Sequence, residues 1–215
     1  MKRVFGMVEV IFDILYLITA AIIGIYLLFS NMGSITKVAG IMSLVLAAGD
    51  AFHLVPRILA ILKNDVDRFQ KALGAGKLIT SITMTVFYLF LYYIGAKIYD
   101  VEWSALWGIL LILAAARIAL CLMPQNRWLD RYPPVEWGII RNVPFFIMGI
   151  LVSLFFLVNR GNVMGFGWMW LAILLSFAFY LPVVLWVNKN PKIGMLMLPK
   201  SCVYLWMLFM CTALL

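Results

Sequence analysis

The sequence is short of charge. Lys and Arg number 17 and Asp and Glu 9 among 215 residues, so 12% of the chain is charged, against about a quarter in an ordinary soluble domain. It has one histidine, His53, which excludes the His-rich zinc sites of metallohydrolases. Its three cysteines, Cys121, Cys202 and Cys211, are scattered. With no C-x-x-C pair, neither a disulfide framework nor a metal knuckle is expected. No HExxH, GxSxG or phosphate-loop pattern occurs. No cofactor and no metal are therefore expected. There is also no low-complexity linker, so residues 1–215 read as a single domain.

What the chain has instead is apolar length. Hydrophobic residues make up 66% and the mean hydropathy is +1.05. A helix that crosses a bilayer needs about 20 apolar residues. Seven runs qualify, at residues 4–29, 38–62, 76–99, 104–123, 137–157, 166–187 and 193–215. The expectation is an all-α, polytopic membrane bundle of about seven transmembrane helices. The first run begins with a basic pair but carries Glu9 and Asp13, is long, and meets no prompt small-residue cleavage site. It reads as a retained helix, not a cleaved signal peptide.

The net charge of +8 follows membrane topology, so nucleic acid is not an expected partner. Lys2 and Arg3 precede the first run. Lys63, Arg68, Lys71 and Lys77 lie between the second and third, Arg127 and Arg131 between the fourth and fifth, and Lys189, Lys192 and Lys200 between the sixth and seventh. The alternate connections hold only Lys37, Lys97 and Arg160. By the positive-inside rule the N-terminus is cytoplasmic and the C-terminus outside, in an inner or plasma membrane. Trp103, Trp107, Trp128, Trp137 and Trp168 fall near predicted helix ends, as an interfacial belt requires.

Ionisable residues inside such runs are expensive and mark functional sites. In "GDAFHLVPR" Asp50, His53 and Arg57 share one helix face, within an arc of roughly 60°. Glu9, Asp13 and Tyr16 share a face of the first helix. Counted from the cytoplasmic end, Glu9 and Arg57 lie ~7.5 Å deep, and Asp13 and His53 ~13 Å. Asp50 is near the midplane. Two rungs follow: Glu9 with Arg57, and Asp13 with His53. Arg117, Arg141 and Asn142 enter at similar depth from helices four and five. Three acids against three arginines is the balance a mutually paired cluster needs. Pro56 removes a backbone donor and frees the Phe52 carbonyl.

Other groups carry less. The hydroxyls of Thr80, Ser81, Thr83 and Thr85 serve as packing glue, "FYLFLYY" as core or lipid-facing filler, and the Met-rich "GMLMLPK" as flexible packing at the membrane surface. Lys200, behind Pro199, is expected to snorkel to the cytoplasmic interface. "DAFHLVP" (50–56) and "SFAFYLP" (176–182) form a faint internal echo.

The stretch "SLVLAAGDAFHLVPRI", residues 43–58, resembles the S-x-x-GD-x-x-L-x-x-P segment of the multi-pass lysoplasmalogenase (YhhN-type) family. The resemblance implies a membrane enzyme that cleaves the vinyl-ether bond of lysolipids, with Asp50 near the chemistry. The chain departs from that family in two ways. It has seven apolar runs where the family usually has eight. The family's later Ser-Asp pair would fall at Ser176, where Phe177 follows.

Three functions stay open. A lipid hydrolase would use Asp50, His53 and Asp13 as catalytic groups, with Glu9, Arg57, Arg117, Arg141 and Asn142 binding a lipid or a small anionic ligand. A small proton-coupled transporter would use the same acids and His53 as a relay. A non-catalytic subunit or sensor would use the charges for helix register. The partners expected are membrane lipid, a small anionic ligand and a homo-oligomeric copy of the chain. The outer half of helices one and two carries little polarity, which favours a blind pocket open to the cytoplasm.

Overall fold

The computed structural model describes residues 2–101, 105–161 and 165–215, with side chains from Phe5 onward. Trp103, and the side chains of Lys2 and Arg3, lie outside the described residues. The elements are α1 (Lys2–Phe29), α2 (Ser34–Leu62), α3 (Val66–Ile98), α4 (Ala105–Leu122), α5 (Val135–Val158), α6 (Met169–Trp186) and α7 (Met197–Cys211). Short 3-10 turns occupy Pro124–Asn126, Pro191–Leu196 and Thr212–Leu214. Among the described residues there is no strand, and seven segments are long and apolar enough to cross a membrane. The protein is an all-α, seven-helix bundle of the multi-pass membrane type.

Each helix packs on its neighbours in sequence, and α7 returns against α1 to close the ring. Interior contacts of α3 with α5 and of α2 with α7 fill it. Successive helices run antiparallel. Along α1 and α2, Glu9 meets Arg57, Tyr16 meets Asp50 and the Ala20 carbonyl meets Ser43. The loops rich in Lys and Arg therefore gather at one end, termed here the basic end.

The α1–α2 crossing is tight because Gly40 lets the backbones touch. A Cβ there would lie 2.6 Å from the Leu28 amide nitrogen. In lipid, where apolar side chains gain little by leaving the solvent, such close backbone approach is a main source of helix association. The α2–α3 crossing repeats the device at Gly76, where a Cβ would collide with the Phe52 carbonyl oxygen. That carbonyl is the one Pro56 deprives of its donor, and Thr80 completes the contact by bonding to the Gly49 carbonyl at 2.9 Å.

Two boundaries differ from the apolar runs. α3 starts at Val66, well before residue 76, because Asp65 caps it by accepting from the Arg68 amide at 3.1 Å. Hydropathy marks where lipid ends, and a capped helix can continue past that point into water. The last span is composite: 3-10 turns flank a short α7, with Pro199 in its first turn.

The end opposite the basic end is packed with aromatic side chains. Tyr92 stacks on Trp107 at 5.6 Å and meets Phe155 at 4.8 Å. Tyr99 meets Phe155 and Phe156. Most of "FYLFLYY" is core: Phe87, Tyr88, Leu91 and Tyr92 are buried.

Candidate functional site

One stripe of α2 reads the interior from end to end. Ala39, Met42, Ser43 and Leu46 point to the bundle axis and are sealed, Leu46 being 1% exposed. Asp50, His53 and Arg57 continue the same face at the next helical turns, yet all three retain accessible surface. α6 behaves alike. Ala172, Ile173 and Ser176 are buried, and from Phe177 to Trp186 no residue is. Toward the basic end these two helices are less enclosed, while Asp13, Ala60, Arg117, Asn126, Asn142 and Lys200 stay buried there.

Where the exposure changes, the Tyr16 hydroxyl donates to Asp50 Oδ2 at 2.6 Å, and Tyr88 shares a 2.9 Å hydrogen bond with Ser176. On the α1–α2 side, Arg57 holds Glu9 with two bonds, Nε to Oε1 at 2.7 Å and Nη2 to Oε2 at 3.3 Å. The expected rung of Glu9 with Arg57 is therefore present. The rung of Asp13 with His53 is not. His53 turns to α3, placing Nδ1 3.3 Å from the Leu73 carbonyl. Gly76 draws α3 up against the His53 backbone, so the carbonyl nearest the imidazole belongs to α3. Asp13 is 3% exposed and its Oδ2 has no hydrogen-bond partner among the described residues. Its electrostatic neighbours are Glu9, Arg57 and Asp50.

The arginines from α4 and α5 do not reach the acids. Arg141 donates from Nη1 to Asn126 Oδ1 at 2.9 Å, and its guanidinium lies 4.0 Å from the Trp128 ring centroid. Asn126, in the turn after α4, anchors this corner by donating to the Leu120 and Met123 carbonyls at 2.6 and 2.8 Å. Arg117 is buried, 2% exposed, with its guanidinium 3.3 Å from the Phe145 ring centroid. Asn142 donates to the Gly138 carbonyl at 2.8 Å and accepts from the Tyr180 hydroxyl at 3.3 Å. A single balanced cluster was the expectation. The structure instead sets Arg117 and Arg141, on α4 and α5, apart from the acids of α1 and α2, while Lys200, on α7, which packs against α1 and α2, has Asp50 as an electrostatic neighbour.

Lys200 corrects the expectation most directly. It does not snorkel: it is 7% exposed, with Nζ 4.9 Å from the Tyr180 ring centroid and 4.8 Å from that of Tyr204. Two aromatic faces hold an ammonium more favourably than lipid does, and α7 starts late enough to carry the residue inward. Asp50 and Arg117 are its electrostatic neighbours. Sequence reading also passed over Tyr180, Tyr204 and Asn126. Tyr180 stood in the quoted "SFAFYLP" echo without being singled out. Tyr204 and Asn126 carried no periodic or motif signal.

Among the described residues, no group of His, Cys, Asp and Glu is arranged to hold a metal ion. No protein-family model, curated protein or solved structure matches the chain. The likeness of residues 43–58 to the lysoplasmalogenase-type segment rests on that motif alone.

Chemically, the arrangement combines a carboxyl–phenol pair, an imidazole and buried cations, side chains of the kinds that take up anions and handle protons.

Proposed function

We propose that the protein is a membrane-embedded lipid-binding protein that admits the polar head of a lipid, from the leaflet at the basic end, into the space lined by Asp50, His53 and Arg57. By the positive-inside rule that leaflet is the cytoplasmic one. The observation that carries this reading is the change along α2: one helix face, buried at Met42 and Leu46, becomes partly exposed at three successive ionisable residues before it is buried again at Ala60. A face built only to fix helix register has no reason to open where its charges begin. The buried cations supply the affinity for an anionic head group.

In its sharpest form the reading is a hydrolase of the lysoplasmalogenase type. Cleaving a vinyl ether requires a proton delivered to the distal alkenyl carbon and a water added to the carbon that bears the ether oxygen. The resulting hemiacetal then collapses: the bond from that carbon to the ether oxygen breaks, the glycerol oxygen leaves with a proton, and the hydroxyl carbon becomes the aldehyde. Asp50, aligned by Tyr16, and His53 are the groups placed to handle those protons, with Asp13 one turn from Tyr16. Arg141 and Asn142 position the head group. Glu9 and Arg57, which spend their polar atoms on each other, brace the entrance between α1 and α2. Transport across the membrane fits less well, because the aromatic packing of Tyr92, Trp107 and Phe155 fills the far end.

Native mass spectrometry of the detergent-purified protein, followed by lipid extraction, tests the binding reading. A retained lipid that His53→Ala loses supports it. Identical lipid content in wild type and variant, with only stability lowered, returns the residues to a structural role. The hydrolase form predicts aldehyde release from a 1-alkenyl lysolipid that Asp50→Asn abolishes.

A further inference from the structure

The basic residues inside the bundle divide by what occupies their donors. Arg57 spends Nε and Nη2 on Glu9. Arg141 has an amide oxygen in Asn126. Arg117 differs: Nε and Nη1 have no hydrogen-bond partner among the described residues, although the side chain is almost completely enclosed. Among the described residues, no carboxylate lies within 4.0 Å of Arg117 or of Lys200, since the ion pairs are Arg57–Glu9, Arg127–Asp130 and Arg131–Asp67. Asp50, the acid that Lys200 senses, has Oδ2 committed to Tyr16.

Lys200 has Asp50 as well as Arg117 for electrostatic neighbours, but the neighbours of Arg117 are Tyr180, Cys121 and Tyr204, and an enclosed cation with no acid beside it is costly unless an anion joins it. The way the two cations are held keeps their donors available. The Arg117 guanidinium, its central carbon 3.3 Å from the Phe145 ring centroid and with Cys121 beside it, leaves Nε and Nη1 free to donate in its plane. The Lys200 ammonium, set against the Tyr180 and Tyr204 rings, likewise keeps N–H groups that no carboxylate takes. Tyr180 links the pair to Asn142 and Arg141: its ring faces Lys200, its hydroxyl reaches Asn142, and it is an electrostatic neighbour of Arg117 and Arg141.

Resting on the lipid-binding reading above, we infer that Arg117 and Lys200 form the phosphate subsite of this protein, so that its ligand carries a phosphate ester which enters ahead of the acyl or alkenyl chain. Two positive charges arriving from different helices, α4 and α7, match a tetrahedral anion with several oxygens and up to two negative charges. A planar carboxylate would satisfy one of them.

The test is isothermal titration of the full chain in detergent micelles with three probes: a lysophosphatidate, the monoacylglycerol of the same chain length, and inorganic phosphate. Binding of lysophosphatidate at least tenfold tighter than monoacylglycerol is expected. Arg117→Gln and Lys200→Met should each collapse that preference while monoacylglycerol still binds, and Lys200→Arg should retain it. Equal, saturable binding of the two lipids overturns the phosphate subsite and leaves the lipid reading standing. So does a preference that both variants preserve. Inorganic phosphate binding that the two variants abolish, without lipid binding, supports the subsite and overturns the lipid reading. Binding of none of the three overturns both. Where one variant fails to fold the other decides, since a preference that it preserves overturns the subsite, and the absence of any preference on wild type overturns it without a variant.

Discussion

The Tyr16 hydroxyl and the Asp50 carboxylate, 2.6 Å apart, join α1 to α2 at the level where the axis-facing stripe of α2 changes from buried to partly exposed. On one side of this bond lie Ala20, Ser43 and Leu46, all buried; on the other lie His53 and Arg57, both partly exposed, with Asp13 and Ala60 buried beside them. The bond is a helix-to-helix tie. Tyr16 is itself buried, so the phenol has no competing water and its only donor goes to the acid.

Tyr16→Phe removes that donor without changing shape. It leaves Asp50 Oδ2 facing an apolar ring, and unfolding in detergent should show a loss of about 1–3 kcal/mol. Asp50→Asn should cost less, because the phenol can still donate to an amide oxygen. A larger loss for Asp50→Asn than for Tyr16→Phe would show that Asp50 is held chiefly by other groups, Lys200 first among them.

The Glu9–Arg57 pair is half open, with side-chain exposures of 27% for Glu9 and 40% for Arg57. Solvent screening then limits what the two bonds contribute, and a double-mutant cycle of Glu9→Gln and Arg57→Met should give a coupling on the order of 1 kcal/mol. A fully enclosed pair would lose about 3–5 kcal/mol on removal of one partner. A coupling of that size would mean the basic end of α1 is closed in the membrane.

Much of this was legible in the chain because the bilayer makes apolar length and charge depth informative. Matching depths on two antiparallel helices found Glu9 with Arg57. The same arithmetic failed for Asp13 with His53, because it places a residue along a helix and not around the bundle. The close approach at Gly76 turns His53 toward α3, and no spacing within α2 reveals that. Depth arithmetic also put Arg117 and Arg141 with the acids, when the ring order of the helices sets them apart. Lys200 was misread for a related reason. Position near a helix end suggests snorkelling, and only the aromatic faces of Tyr180 and Tyr204, from two different helices, show that the ammonium has somewhere else to go.

Glycines at crossings should be intolerant in proportion to what lies over them. Gly76→Ala drives a methyl into the Phe52 carbonyl, a backbone atom that cannot swing aside, and should cost about 1–3 kcal/mol. Gly108, in α4, has nothing within 4 Å of its Cβ position. Gly108→Ala should therefore be neutral or stabilising by up to about 1 kcal/mol, the helix-propensity difference. Thermal unfolding of the two variants side by side checks both. Equal effects would mean that the α2–α3 contact is not as close as the structure has it.

A space open at the basic end, as proposed, predicts a pattern of chemical access along α2. In a background with Cys121, Cys202 and Cys211 replaced by serine or alanine, single cysteines at 42, 46, 50, 53 and 57 follow one axis-facing stripe. A charged, water-soluble thiol reagent should modify positions 50, 53 and 57 and leave 42 and 46 unreacted, since Met42 and Leu46 are sealed. The side from which the reagent works fixes the orientation. Modification in inverted vesicles but not in intact cells puts the basic end in the cytoplasm, as the loop charges require. Modification from outside would reverse the topology and move the proposed lipid source to the other leaflet. Reaction along the whole stripe from either side would mean that the aromatic packing at Tyr92 and Trp107 opens, and a transport pathway would then be the better account of the same residues.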